Sequence, residues 1–202
     1  MSGSSDADET PSEDDLRVIA VTRAWLERAV IGLNLCPFAR APLIHERVRF
    51  RVSHAQAVDT LLDDLCGELQ SLHAADPDEC ETTLLIHPHV LGDFLDYNDF
   101  LDSADAAIDV LGLDGELQVA SFHPHYCFAD ASADDVGNAT NRSPYPILHL
   151  LREASVERAI DSIDDPESIA RRNIETLQRL GSAGWQALWD MIIDAGKAPL
   201  DR

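Results

Sequence analysis

Lysine is almost absent from this chain: Lys197 stands alone against fourteen arginines. The 15 basic residues face 37 acidic ones, giving a formal charge of −22 at pH 7. A field of that sign repels nucleic-acid phosphates and anionic lipid, so neither is an expected partner. Long apolar runs are also missing. No segment approaches the ~20 residues of a membrane span, and the N-terminus has neither the basic nor the apolar region of a signal peptide. A soluble, cytoplasmic protein is the expectation. Cysteine is sparse and scattered: Cys36, Cys66, Cys80 and Cys127 form no CxxC pair. Reduced thiols are expected, and a structural zinc knuckle is disfavoured. There is no P-loop, GxGxxG, GxSxG or HExxH, so nucleotide-fold, serine-hydrolase and zincin chemistry have no motif to support them.

What is present is globular. Apolar residues make up 45% of the 202 positions, enough for one well-cored domain. Residues 1–15 are the exception, with six acidic side chains, no basic one and no large apolar one after Met1. They read as a disordered acidic tail, leaving 16–202 as a single α/β domain.

Residues 16–33 carry Ile19, Trp25, Leu26, Ala29, Val30 and Leu33 at helical spacing, and Pro37 prevents continuation. Residues 48–52 alternate as a strand. Ser53 is a candidate cap for a helix running to about His73. Residues 82–86 form a second strand ending in His87-Pro88-His89, and 93–111 a helix. Residues 117–122 form a third strand, ending in His123-Pro124-His125-Tyr126. A loop over 129–142 leads to a helix expected to begin at Pro144, with Ser143 as its cap. Two further helices, 166–180 and 184–194, are split by Gly181 and Gly184. The fold class that follows is α/β: a small, at least partly parallel sheet with covering helices and a helical C-terminal segment.

Three groups of residues carry candidate chemistry. His-Pro-His recurs after the second and third strands, where open α/β sheets bind ligands. If those strands are neighbours, His87, His123 and His125 can supply imidazoles to a divalent transition metal. The alternative is that each ring caps backbone at a strand end. In the second group, a helix starting at Ser143 would place Tyr145, His149 and Arg152 on one stripe. With Arg142, Asn138 and Asn141 beside it, that helix start would hold a carboxylate or phosphate, and His149 could transfer a proton near neutral pH. The alternative is a loop stapled by asparagines ahead of an ordinary surface helix. The third is Cys36, just past a helix end and before Pro37. It is a nucleophile if a neighbouring charge lowers its pKa, and otherwise a small buried hydrophobe.

Three strings, Gly32-Leu33-Asn34-Leu35-Cys36-Pro37-Phe38, Ser121-Phe122-His123-Pro124-His125-Tyr126 and Asn138-Ala139-Thr140-Asn141-Arg142-Ser143-Pro144-Tyr145-Pro146, resemble an uncharacterised bacterial family with plant relatives. The similarity continues through His149-Leu150-Leu151-Arg152-Glu153 and covers most of residues 16–195. The family is a domain of unknown function. The resemblance implies emphasis on Cys36, His123, Tyr126, the NRSPYP string and His149, and less on His89 and His125.

These readings combine into an intracellular enzyme acting on a small anionic metabolite. Arg142, Arg152 and the helix start would hold the anion. His123 and His149 would move protons or bind a metal, assisted by Tyr126 and Tyr145. A metal-dependent hydrolase or lyase is one form of this enzyme. A thiol-based oxidoreductase using Cys36 and a non-catalytic ligand-sensing or partner-binding module are the alternatives.

Overall fold

The computed structural model describes residues 11–161, 165, 166 and 168–198. Most of the expected disordered tail therefore lies outside the described residues. Its last part is ordered. Ser12 caps helix α1 (Glu13–Trp25), its hydroxyl accepting the Asp15 N–H while the Asp15 carboxylate accepts the Ser12 N–H. Three carboxylates in that first turn also favour the helix dipole, so acidity there starts a helix. The helix continues as a π-helical stretch (Leu26–Ile31), and Asn34 then turns the chain in the left-handed region at φ 55°.

A short helix α2 (Arg40–Ile44) precedes β1 (Val48–Val52), α3 (Val58–Ala74), β2 (Thr82–Ile86), α4 (Phe94–Leu111) and β3 (Leu117–Phe122). The strand bounds agree with the sequence expectation. Ser53 does not cap α3; its hydroxyl instead donates to the Asp64 carboxylate. Asp93 does cap α4, accepting from Leu95 and Asp96 N–H, and Gly112 ends it at φ 71°, a conformation that suits glycine.

The major departure follows. Residues expected to begin a helix at Pro144 form strand β4 (Ile147–Arg152). It enters the sheet between β2 and β3, antiparallel to both, giving the order β1-β2-β4-β3 with β1 and β2 parallel. A strand packed on both faces is apolar on both, and Ile147-Leu148-His149-Leu150-Leu151 has no alternation to distinguish it from a buried helix. Pro146 sits just before the strand, where its missing N–H removes no ladder bond, and its carbonyl accepts the His87 N–H.

Both faces of the sheet are covered. Leu85, Leu148 and Leu150 pack with Leu61, Leu65 and Leu69 of α3 and Tyr97, Phe100 and Ala104 of α4. On the other face, Leu84, Ile86 and Ile147 meet Val21, Trp25 and Ala29 of the N-terminal helices. Helix α5 (Glu153–Asp161) then leads to α6 (Ser168–Ile193), which is broken at Gly181 (φ 70°) and brings Ile192 and Trp189 onto this second face. None of the described helices is long and apolar enough to cross a membrane.

Candidate functional site

The position of β4 sorts the histidines. Cα partners across a ladder share a face, so His149, opposite Leu84 and Ala120, faces the N-terminal helices together with Ile147. His87 and His123 each follow a strand by one residue and sit beside Tyr97 of α4, on the other side. His123 and His149 are therefore on opposite faces of the sheet, and the expectation that they move protons or bind a metal in one joint site is corrected by strand parity.

The strand-end cluster is organised around Tyr97. Its buried hydroxyl accepts the Phe122 N–H at 3.1 Å and donates to the Ile147 carbonyl at 2.8 Å, replacing one ladder bond between β3 and β4. The rings of His87 and His123 lie 5.8 and 5.0 Å from the Tyr97 ring. Each imidazole donates to a carbonyl of the loop between β2 and α4: His87 Nδ1 to Val90 and His123 Nε2 to Leu91, both at 3.1 Å. Leu91 sits at φ 56°, unusual for a leucine, and these two bonds help hold the loop there. The second nitrogen of His123 accepts the His125 N–H at 3.0 Å. Burial pushes the His87 pKa down to about 4 and lowers that of His123.

This geometry corrects the metal set of His87, His123 and His125. Both His123 nitrogens are bonded, and the exposed His125 ring lies 5.8 Å from the His123 ring, centre to centre. Among the described residues no group of three or more His, Cys, Asp or Glu is arranged to hold a metal ion. Of the nitrogens of these three rings, His87 Nε2 is buried without a partner. Tyr126, expected to assist catalysis, packs its ring on Phe94 and Phe128.

The expected anion site is corrected as well. There is no helix start at Ser143; its buried hydroxyl donates to the Tyr145 carbonyl. Asn138 is fully buried, accepting the Phe128 N–H and donating to the Ser132 carbonyl. Asn141 acts as a substitute strand at the end of β3: its carbonyl accepts the His123 N–H and its side-chain amide donates to the Ser121 carbonyl. Arg142 donates to the Tyr126 and Ala133 carbonyls. Arg152 donates to the carbonyls of Leu72, Ala75 and Cys80, closing the C-terminal end of α3. The two arginines bracket β4, whose six residues span about 17 Å, so they cannot hold one small anion. The polar density of this segment is largely a set of staples on backbone carbonyls and amides.

His149 is different. Its Nε2 lies 2.7 Å from the Thr82 hydroxyl, which donates its single hydrogen to the Leu150 carbonyl at 2.6 Å. The hydroxyl can then only accept, so the imidazole carries its proton on Nε2 and leaves Nδ1 as a lone pair. No described residue bonds that Nδ1, and the side chain is partly accessible. Surrounding protein pushes its pKa down to about 4, keeping the ring neutral at pH 7. The Phe122 ring is 6.1 Å away. Cys36 and Tyr145, both partly accessible, pack against the same apolar cluster as Phe122. Burial raises the Cys36 thiol pKa, outweighing the opposing effect of the Phe38 and Ala39 N–H groups. That environment is the reverse of what an activated thiolate needs. Burial likewise raises the Tyr145 phenol. Sequence reasoning missed Thr82 and Tyr97. A hydroxyl within each otherwise apolar pattern was the available signal, but neither acquires meaning before β4 is placed.

The chain belongs to a family described as protein of unknown function (DUF1415), whose model matches residues 17–187. No curated protein matches the chain, and no solved structure does.

Proposed function

We propose that this protein is an enzyme acting on a small molecule at the sheet face around His149. The observation that carries the reading is the pair of contacts at the Thr82 hydroxyl, which donates to the Leu150 carbonyl and so accepts the His149 Nε2 proton, leaving Nδ1 as a neutral acceptor on a central strand. A polar group kept on an otherwise apolar sheet face needs a bonding partner, and a substrate donor would supply one. His149 Nδ1 would accept a hydrogen bond or a proton from that donor. The Tyr145 phenol and the protonated Cys36 thiol, packed against the same apolar cluster as Phe122, would be weaker donors. The anionic character of the ligand is not carried forward, because Arg142 and Arg152 are engaged with carbonyls at opposite ends of β4. Thiol-based redox chemistry gains no support, since burial favours the neutral form of Cys36.

One observation favours a second reading, non-catalytic ligand sensing. An imidazole with a pKa of about 4 is an effective acceptor at pH 7 but a weak general base. The two readings share a site and differ in turnover. The test is a metabolite screen by thermal shift, followed by histidine side-chain 15N NMR of any hit. The site reading requires the hit to move the His149 Nδ1 resonance and to lose its stabilising effect in His149→Phe. Equal stabilisation of wild type and His149→Phe overturns it. A hit that is chemically converted supports the enzyme, and one that binds through His149 and is returned unchanged supports the sensor.

A further inference from the structure

The two edges of the sheet are unlike. β1 carries Arg49 and Arg51, both paired with Glu68, and long charged side chains discourage strand addition at an edge. β3, at the opposite edge, reads Leu117-Gln118-Val119-Ala120-Ser121-Phe122, without a charge, a proline or a glycine. In its ladder with β4, the Glu153 N–H bonds to the Glu116 carbonyl, so the even-numbered residues of β3 turn their backbone groups inward. The odd-numbered residues turn theirs outward. At the two ends these are satisfied within the chain: Leu117 N–H by Leu113, Ser121 carbonyl by the Asn141 side chain, and His123 N–H by the Asn141 carbonyl. Between them, the Leu117 carbonyl, both backbone groups of Val119 and the Ser121 N–H have no partner among the described residues.

That remaining set is self-complementary about Val119, and we infer that β3 pairs antiparallel with β3 of a second copy of this chain. A two-fold axis at Val119 forms two reciprocal bonds between the Val119 amide and carbonyl of each copy. It also forms two between Ser121 N–H and the Leu117 carbonyl. The antiparallel register also keeps like charges apart. Glu116 falls opposite Phe122 of the second copy and Asp114 opposite Pro124, one residue from the exposed His125, whereas a parallel pairing would set Asp114 and Glu116 against themselves. The product is a continuous eight-stranded sheet, and the isologous contact closes on itself without forming a filament.

Light scattering after size exclusion reads the mass, which should be twice the 22.2 kDa of one chain. Val119→Cys should self-cross-link on mild oxidation, because residues opposite each other in a hydrogen-bonded antiparallel pair have Cα atoms about 5.5 Å apart, within disulfide range. Peptide mapping separates a 119–119 link from links through the native cysteines, and Val110→Cys, on the exposed side of α4, should give none to itself. Wild-type amide exchange needs no variant: dilution should accelerate exchange at Val119 and Ser121 and leave Ala120 unchanged. Raising salt should strengthen the dimer, because each copy carries −22 and the seam itself is uncharged. A monomer at about millimolar concentration, a dimer without the 119–119 link, exchange at Val119 and Ser121 that ignores dilution, or a dimer weakened by salt would each overturn the inference.

Discussion

Acidification from pH 7 to pH 5 should destabilise this protein far more than its carboxylates can explain. His87 and His149 are each held at about 4 by burial, against 6.5 for a free imidazole. Their folded-state values lie below the unfolded ones. The stability they confer is therefore complete above about pH 6.5 and is lost as pH falls towards 4 and below. Linkage gives a loss of about 2 kcal/mol per group at pH 5 and about 3 at pH 4. His149 is partly accessible, and solvent screening lowers its share. The pair should then cost about 3 kcal/mol by pH 5, a large part of a typical 5–15 kcal/mol domain stability. His123, also lowered by burial, adds in the same direction. Ordinary carboxylates titrate near pH 4, so they contribute little in this window. Protonation that reduces the charge of −22 acts oppositely, by relieving self-repulsion. Urea unfolding followed by circular dichroism at pH 7 and pH 5 measures the difference. His87→Leu should be less stable than wild type at pH 7 yet lose about 2 kcal/mol less on acidification. Equal wild-type stability at the two pH values, or a His87 ring that titrates near 6.5 by NMR, would refute the reasoning.

Three further outcomes follow from the same contacts. Tyr97→Phe leaves the Phe122 N–H and the Ile147 carbonyl without their bridging hydroxyl and should cost about 1–3 kcal/mol by urea unfolding. Arg152→Ala should cost about 2–4 kcal/mol, because two carbonyls at the end of α3 and one just ahead of β2 lose one charged donor, and it should leave the affinity of any ligand found through His149 unchanged. Thr82→Val removes the acceptor for the His149 Nε2 proton, so 15N NMR should show a mixture of neutral tautomers where wild type shows one. A single Nε2–H tautomer in that variant would mean that Thr82 does not orient the ring.

Much of the fold was legible in the sequence because local chemistry and tertiary environment agree there. Alternation over Val48–Val52 and helical spacing over residues 93–111 each point to the element found there. β4 was not legible. Ser143-Pro144 is a sound helix-start signal, and only the gap between β2 and β3, set by residues far along the chain, makes the following apolar run a strand. The site was affected in the same way. Asn, Arg and Ser donors that would hold an anion are also those that satisfy loop carbonyls, and sequence does not show which carbonyls lie near. Arg152 meets Leu72, 80 positions away, and nothing local to either residue announces the contact.

The histidines show how one inserted strand determines which side chains remain available for chemistry. Had β2 and β3 been direct neighbours, their His-Pro-His ends would have lain side by side, as the sequence suggested. With β4 between them, the His87 N–H bonds to the Pro146 carbonyl just ahead of the new strand, and the Tyr97 hydroxyl joins Phe122 of β3 to Ile147 of β4. His87 and His123 then turn to the loop that follows β2, where each donates to a carbonyl. The same strand places His149 at an odd position, alongside Ile147, on the face opposite that cluster. There its Nε2 is held by Thr82, and no described carbonyl or amide takes Nδ1. A histidine at position 148 or 150 would instead point into the leucine core between the sheet and helices α3 and α4. Parity along β4 thus separates His149, partly accessible on the face of the N-terminal helices, from His87 and His123, whose rings fasten the loop ahead of α4.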